Sequence, residues 1–228
     1  MGWLDALWGR SVRCGFRLLY NEMAFTYDTV SKLVSQGQWR CWQRSVFEFL
    51  GEPTDDLILE LAHGTGDLQL DLAKRGFSAI GYDLSPYMGR IARRKMMRHN
   101  ISPRLVRGVA QQMPFVDAQW STIVCTFPTS FIFLPQTLQE LARILRDDGR
   151  LVIVLSGRFV KSGLIADGLE FLYRVTGQRR EDMPDMEQKI ITFFADAGFD
   201  ARWEKVTCRQ SESLMIFAQK RSSNPIKA

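Results

Sequence analysis

The stretch Ile58–Asp83, ILELAHGTGDLQLDLAKRGFSAIGYD, decides the fold. It reads as strand, glycine-bearing turn, helix and second strand, and it ends on an acid. Ile58–Leu61 is a short apolar run without a helical stripe, the pattern of a parallel strand buried on both faces. His63-Gly64-Thr65-Gly66 lets the backbone turn tightly and approach a ligand without interference from a Cβ. Asp67 to Arg75 sets Leu68, Leu72 and Ala73 on one face and stops before Gly76, which predicts a helix with a glycine stop. Ser78–Tyr82 is a second strand. Asp83 follows at its carboxyl end, where ligands of open α/β sheets bind.

An acid seventeen residues after Gly66 sits where a carboxylate can accept hydrogen bonds from both hydroxyls of an adenosine ribose. The loop then discriminates between adenosine compounds. A dinucleotide site wants a third glycine three positions after the second, for close helix packing beside a pyrophosphate, and that position is Gln69. S-adenosylmethionine carries no phosphate and needs only close backbone approach and the ribose clamp, so the stretch favours this methyl donor as cofactor. The bland alternative is a tight strand-to-helix turn that holds no ligand.

Outward from this unit, Pro86–Arg98 reads as a helix and Leu105–Val106 and Ser121–Thr126 as short strands. Gln136–Arg146 is a helix closed by Asp148-Gly149, and Arg150–Leu155 is a fifth, fully buried strand. Alternating strands and helices predict a doubly wound, mostly parallel sheet. Arg202–Cys208 and Ser213–Gln219 are close enough to pair as an antiparallel hairpin, which makes seven strands. Phe159–Thr176 and Asp185–Ala197 read as helical. The domains expected are an N-terminal helical lid over residues 1–50, the cofactor-binding domain over 51–220 with a helical insertion near 157–184, and a tail over 221–228. Within the lid, residues 3–19 form an arginine-bearing amphipathic stripe with two tryptophans. That stripe suits either a membrane interface or packing as a lid. Tyr20, Phe25 and Tyr27 are aromatic groups able to shield a sulfonium.

The chain of 228 residues is 46% hydrophobic and 24% charged with net charge +5, ordinary for a globular protein and mildly favourable to an anionic partner. Cys14, Cys41, Cys125 and Cys208 are too far apart for a CxxC motif, and four in a chain this long do not suggest a disulfide scaffold. A reducing cytosol is the simple reading. No secretory h-region or membrane-spanning run stands out, so the protein is expected to be cytoplasmic or attached to a membrane from its surface. His, Cys and Asp residues show no metal-ligand spacing. Arg90, Arg93, Arg94, Lys95, Arg98, Arg104 and Arg107 make a basic run without an acid. No aromatic residue is interleaved in it for base stacking, so a solvated helix face is preferred over a nucleic-acid or lipid footprint.

These motifs together resemble the class I S-adenosylmethionine-dependent methyltransferases, and more narrowly the ubiquinone/menaquinone C-methyltransferase family. The resemblance runs through Ala24-Phe25-Thr26-Tyr27-Asp28 with Ser35-Gln36-Gly37 and Trp42, Glu60 to Leu68, Asp83 to Met88, Gly108 to Phe115, Leu138 to Val154, Met183-Pro184-Asp185 and Ala197-Gly198-Phe199. It covers about residues 20–219. It implies a Rossmann-like seven-stranded sheet with an antiparallel last strand. It also implies a cofactor site in which Glu60 orients the methionine amino group, Ala62, His63, Gly64 and Gly66 form the loop, Asp83 and Leu84 meet the ribose and Ala110 with Gln111 lines the adenine.

The sequence departs from the family in three places. Ala62 and His63 replace glycines common in class I loops, Val109 replaces an acid of the adenine loop, and Phe127-Pro128-Thr129-Ser130 stands where the quinone family has an arginine–asparagine pair. No general base declares itself; Tyr20, Tyr27 and Asp28 are candidates for touching the acceptor. A hydrophobic small molecule, such as a quinone-like aromatic or a lipid, leads as acceptor. An RNA methyltransferase, an NAD-type oxidoreductase and a non-catalytic binding module follow.

Overall fold

The computed structural model describes residues 27–53, 57–159 and 184–222. The residue 3–19 stripe, Tyr20, Phe25, most of the expected insertion and most of the tail lie outside the described residues. Seven strands are present: β1 (Ile58–Leu61), β2 (Ala79–Asp83), β3 (Leu105–Arg107), β4 (Trp120–Thr126), β5 (Leu145–Phe159), β6 (Phe199–Cys208) and β7 (Ser211–Lys220). They form one sheet ordered β3-β2-β1-β4-β5-β7-β6. The pairs from β3 through β5 are parallel, and β7 runs antiparallel to both β5 and β6. This is the doubly wound sheet expected.

Strand alternation explains why both faces are apolar. Leu59, Leu61, Ile123 and Ile153 point to one side, where Leu138 and Leu141 of α5 (Pro135–Ile144) and Phe194 of α6 (Pro184–Asp196) cover them. Ile58, Val124 and Val152 point to the other, under Leu68 and Leu72 of α3 (Asp67–Lys74) and Val46 of a 3₁₀ turn (Ser45–Phe49). A sheet covered on both faces needs near-continuous apolar strands, and all of β4 is buried accordingly. The chain enters α4 (Pro86–Arg98) through Ser85, whose hydroxyl accepts from the Met88 N–H at 3.3 Å, with Pro86 in the first turn. Cap and proline are the ordinary devices for starting a helix.

β5 runs past Leu155 to Phe159 because β7 continues to pair with it, Phe159 opposite Ser211. Residues 157–159, given to the insertion by the sequence reading, are therefore strand.

The cysteines also differ from expectation. Cys41 and Cys208 form a disulfide across 167 residues, with their Cα atoms 5.9 Å apart; Cys125 is free and buried. The bond ties α2 (Trp39–Arg44) to the end of β6. Such a separation gives no local spacing signal, so the pairing exists only in three dimensions.

Candidate functional site

The strand order reverses between β1 and β4: the chain winds outward from β1 through β2 to β3, and from β4 to β5 on the other side. Ligands of such sheets bind outside the carboxyl ends of the strands at this switch point. Leu61 lies opposite Tyr82 on one side and Cys125 on the other, so Ala62 emerges beside Asp83 and Thr126, with Phe127 one residue further on. Two non-glycine residues at these ends, Ala62 (φ 58°) and Phe127 (φ 52°), hold left-handed backbone. Each costs about 1–2 kcal/mol, and strain of this kind gathers at functional sites.

The loop after β1 is fastened to the next strand. Asp83 accepts from the Gly64 N–H at 2.9 Å and from the Ser85 N–H at 2.7 Å. Its carboxylate thus joins the glycine loop to the start of α4 while staying half-exposed. Gly64 (φ 53°) faces open space where a Cβ would stand, as a backbone that admits a ligand must. Gly66 (φ 80°) has no such room: a Cβ there would lie 2.7 Å from Ala92 Cβ, so glycine is required for α3 to meet α4. The His63 Nδ1 lies 2.8 Å from the Gly64 carbonyl oxygen, which can only accept. Burial pushes the His63 pKa down, opposed by Asp83; the ring braces the loop backbone.

Beneath this loop, Glu60 is fully buried on the α3 side of the sheet. Its Oε2 and the Nε2 of Gln69 both lack a hydrogen-bond partner. Burial first of all pushes Glu60 up to about 8, the Asp83 and Asp67 charges add to the rise, and the Arg40 charge pulls it back in part. A buried acceptor without a partner is what a cofactor's cationic amino group would complete.

At the other end of the site, Ala110 is buried and Leu84 is 61% exposed. Gln111 Nε2 donates to Thr137 Oγ1 at 3.1 Å, which leaves its carbonyl oxygen as the group able to accept from an adenine amine. Tyr27 begins α1 (Tyr27–Val34), but its side chain lies outside the described residues.

Sequence reasoning missed a charged cluster that holds the N-terminal segment to the loop. Asp28 accepts from the Thr65 hydroxyl at 2.5 Å and from Lys95 at 2.8 Å, and Lys95 also reaches Asp67 at 2.7 Å. Arg40 pairs with Asp71 at 2.6 Å and Asp67 at 3.4 Å, and Arg44 with Asp71 at 2.7 Å. Asp28 therefore braces the loop. Lys95, assigned to a solvated basic face, is only 19% exposed. Its spacing from Met88 and Ala92 places it beside the buried stripe of α4, the one signal that separates it from its arginine neighbours. Lys95→Met should lower stability by about 1–3 kcal/mol and weaken cofactor binding, read by urea denaturation and calorimetry.

Beyond the loop, Trp39 of α2 stacks on Phe127 with ring centroids 3.9 Å apart. Trp42 meets Phe127 and Phe159 edge-on at 6.4 and 5.8 Å. These rings form an aromatic cluster at the carboxyl ends of β4 and β5. Among the described residues no group of His, Cys, Asp and Glu could hold a metal ion.

A family model described as a methyltransferase domain matches residues 58–149. A demethylmenaquinone methyltransferase of Thermus thermophilus is 31% identical over 210 residues, covering 83% of this chain and 94% of the relative. Another from Chlorobaculum tepidum is 36% identical over 151 residues, 62% of this chain and 60% of the relative. Among solved structures, the geranyl diphosphate C-methyltransferase of Streptomyces coelicolor, in complex with Mg2+, geranyl diphosphate and S-adenosyl-L-homocysteine, gives a TM-score of 0.58 at 14% identity. That alignment covers 80% of this chain and 77% of the other, and the likeness is one of fold.

Proposed function

The chain belongs to the class I S-adenosylmethionine-dependent methyltransferases, in the family of the demethylmenaquinone methyltransferases, and from that premise we propose that its acceptor is the ring of a quinone-like hydrophobic molecule. The observation that carries this reading is the aromatic wall, Trp39 stacked on Phe127 with Trp42 and Phe159 behind. A planar apolar ring is held by such faces, and the wall's position after β4, at the carboxyl end of the sheet, supports an acceptor beside the cofactor.

The residues fit the cofactor. Gly64 leaves the loop open, Glu60 offers a buried oxygen without a partner and Asp83 ends β2 beside that loop, which supports a ribose clamp there. S-adenosylmethionine, when bound, supplies an electrophilic methyl group on a sulfonium. Glu60 would hold its amino group, Asp83 its ribose and Ala110 with Gln111 its adenine. The transfer breaks the methyl–sulfur bond, forms a methyl–carbon bond and releases one proton from the acceptor. A ring carbon attacks only when electron-rich, so the hydroquinone form is the substrate. The wall's contribution is alignment: holding a ring in attack geometry removes the entropic part of the barrier. The loop, braced by Asp28 and Lys95, keeps the other reactant fixed.

The test is incubation with labelled S-adenosylmethionine and a reduced, unmethylated naphthoquinone, followed by mass spectrometry. A labelled methyl on the ring is expected; label in phospholipid or RNA instead would overturn the reading. Asp83→Ala should weaken cofactor binding by about 1.5–3 kcal/mol, the range for charge-assisted hydrogen bonds. Unchanged affinity in calorimetry would remove Asp83 from the site.

A further inference from the structure

The exposed face of α4 carries Arg90, Arg93, Arg94 and Arg98, and Arg104 and Arg107 extend it to β3, the edge strand of the sheet. The opposite stripe, Met88, Ala92 and Met96, is buried. Lys95, the remaining cation of the run, is neutralised by Asp28 and Asp67. Among the described residues Arg90, Arg93, Arg94, Arg98 and Arg104 form no ion pair, and no acid occurs between residues 84 and 116. Arg107 donates to the Leu84 carbonyl at 3.1 Å, so the face reaches the rim of the cofactor cleft. Exposed apolar groups sit within it: Met97 is 57%, Leu84 61% and Tyr87 37% exposed.

We propose that this face of α4 and β3 docks the enzyme onto a bilayer rich in anionic lipid. Charge complementarity carries the argument. Guanidinium groups pair with lipid phosphates, basic residues close to an anionic surface are each attracted to it, and Met97, Leu84 and Tyr87 supply the apolar contacts of an interfacial helix. RNA fits less well, because the one aromatic ring on the face, Tyr87, is covered by the Arg90 guanidinium 4.5 Å from its centroid and offers no platform for bases. Docking in this way would bring the cleft to where a lipid-dissolved acceptor resides. The proposal rests on the quinone reading only for that purpose, since binding is measured without turnover.

The experiment is co-sedimentation of the full chain with vesicles of phosphatidylcholine, alone or mixed with equal parts phosphatidylglycerol. Binding is expected to require phosphatidylglycerol and to be lost at about 0.5 M salt, where the screening length is only a few ångströms. The variant Arg90→Gln, Arg93→Gln, Arg94→Gln, Arg98→Gln should bind at least about thirtyfold more weakly, and Arg93→Gln with Arg94→Gln alone should fall between. Unchanged affinity for S-adenosylmethionine in both variants would show that the fold is intact. Arg10, Arg13 and Arg17 remain in these variants, so wild-type vesicle binding by the quadruple variant would overturn the proposal. Equal binding to phosphatidylcholine alone, or tighter binding to RNA than to anionic vesicles at the same salt, would overturn it as well.

Discussion

Glu60→Gln is expected to stabilise the cofactor-free protein at alkaline pH and to abolish most of the pH dependence of cofactor binding. The physical reason is burial. Burial pushes the Glu60 pKa up to about 8 in the fold, from its ordinary 4.5 when exposed. A carboxyl whose folded pKa is raised is neutral in the native state while the unfolded chain already ionises. Stability from this group is therefore fully present below about pH 4.5 and falls as pH rises through 4.5 to 8, by on the order of 5 kcal/mol in all. Glutamine keeps the shape and cannot ionise, so wild type and variant should match near pH 4 and diverge steadily above it. Urea denaturation across this range reads the difference.

Cofactor binding moves Glu60 the other way. A cationic amino group beside it favours the carboxylate, so binding at pH 6–8 should release a proton, and affinity should rise with pH toward 8. Calorimetry in buffers of different ionisation enthalpy detects that proton. The variant should bind more weakly and release less. Equal affinity and equal proton release in Glu60→Gln would remove Glu60 from the cofactor site.

Reduction of the Cys41–Cys208 disulfide is the second large effect. The bond closes a loop across 167 residues, and the chain-entropy argument gives up to about 5 kcal/mol for a loop of that length. For a chain of this size that is roughly 10–20 °C in unfolding temperature. Cys41→Ser should show the same loss without reductant and no further loss with it. Function should follow, because α2 carries both Trp39 of the aromatic wall and Arg40, which holds Asp67 and Asp71. Thiol labelling in denaturant without reductant should mark Cys125 and leave Cys41 and Cys208 unlabelled; labelling of Cys41 and Cys208 would show the bond absent.

Much of the fold was legible in advance because its signals are local. Short, near-continuous apolar runs mark β1, β2, β4 and β5, Ser85-Pro86 marks the start of α4, and Gly66 marks the turn into α3. The extent of β5 was not legible, since Phe159 is strand only because Ser211 pairs with it. The position of the proposed cofactor loop was legible for the same reason as the fold: Gly64, Gly66 and Asp83 follow or end strands that short apolar runs locate, and Glu60 lies within one of them. The acceptor end was not. Phe127 was singled out at its place after β4, but its partner Trp39 lies eighty-eight residues earlier, on a helix whose position no local pattern specifies.

By itself, then, the sequence determined a doubly wound methyltransferase sheet, the methyl donor and the glycine loop and acidic strand end proposed to meet it. Those follow from backbone geometry, side-chain alternation and glycine at fixed spacings along one continuous stretch. Tertiary structure alone decided how the N-terminal segment closes on that stretch. Asp28 to Thr65 and Lys95, Arg40 to Asp71, Trp39 to Phe127 and Cys41 to Cys208 are contacts between residues far apart in the chain. Their energies depend on distances that only the folded sheet creates.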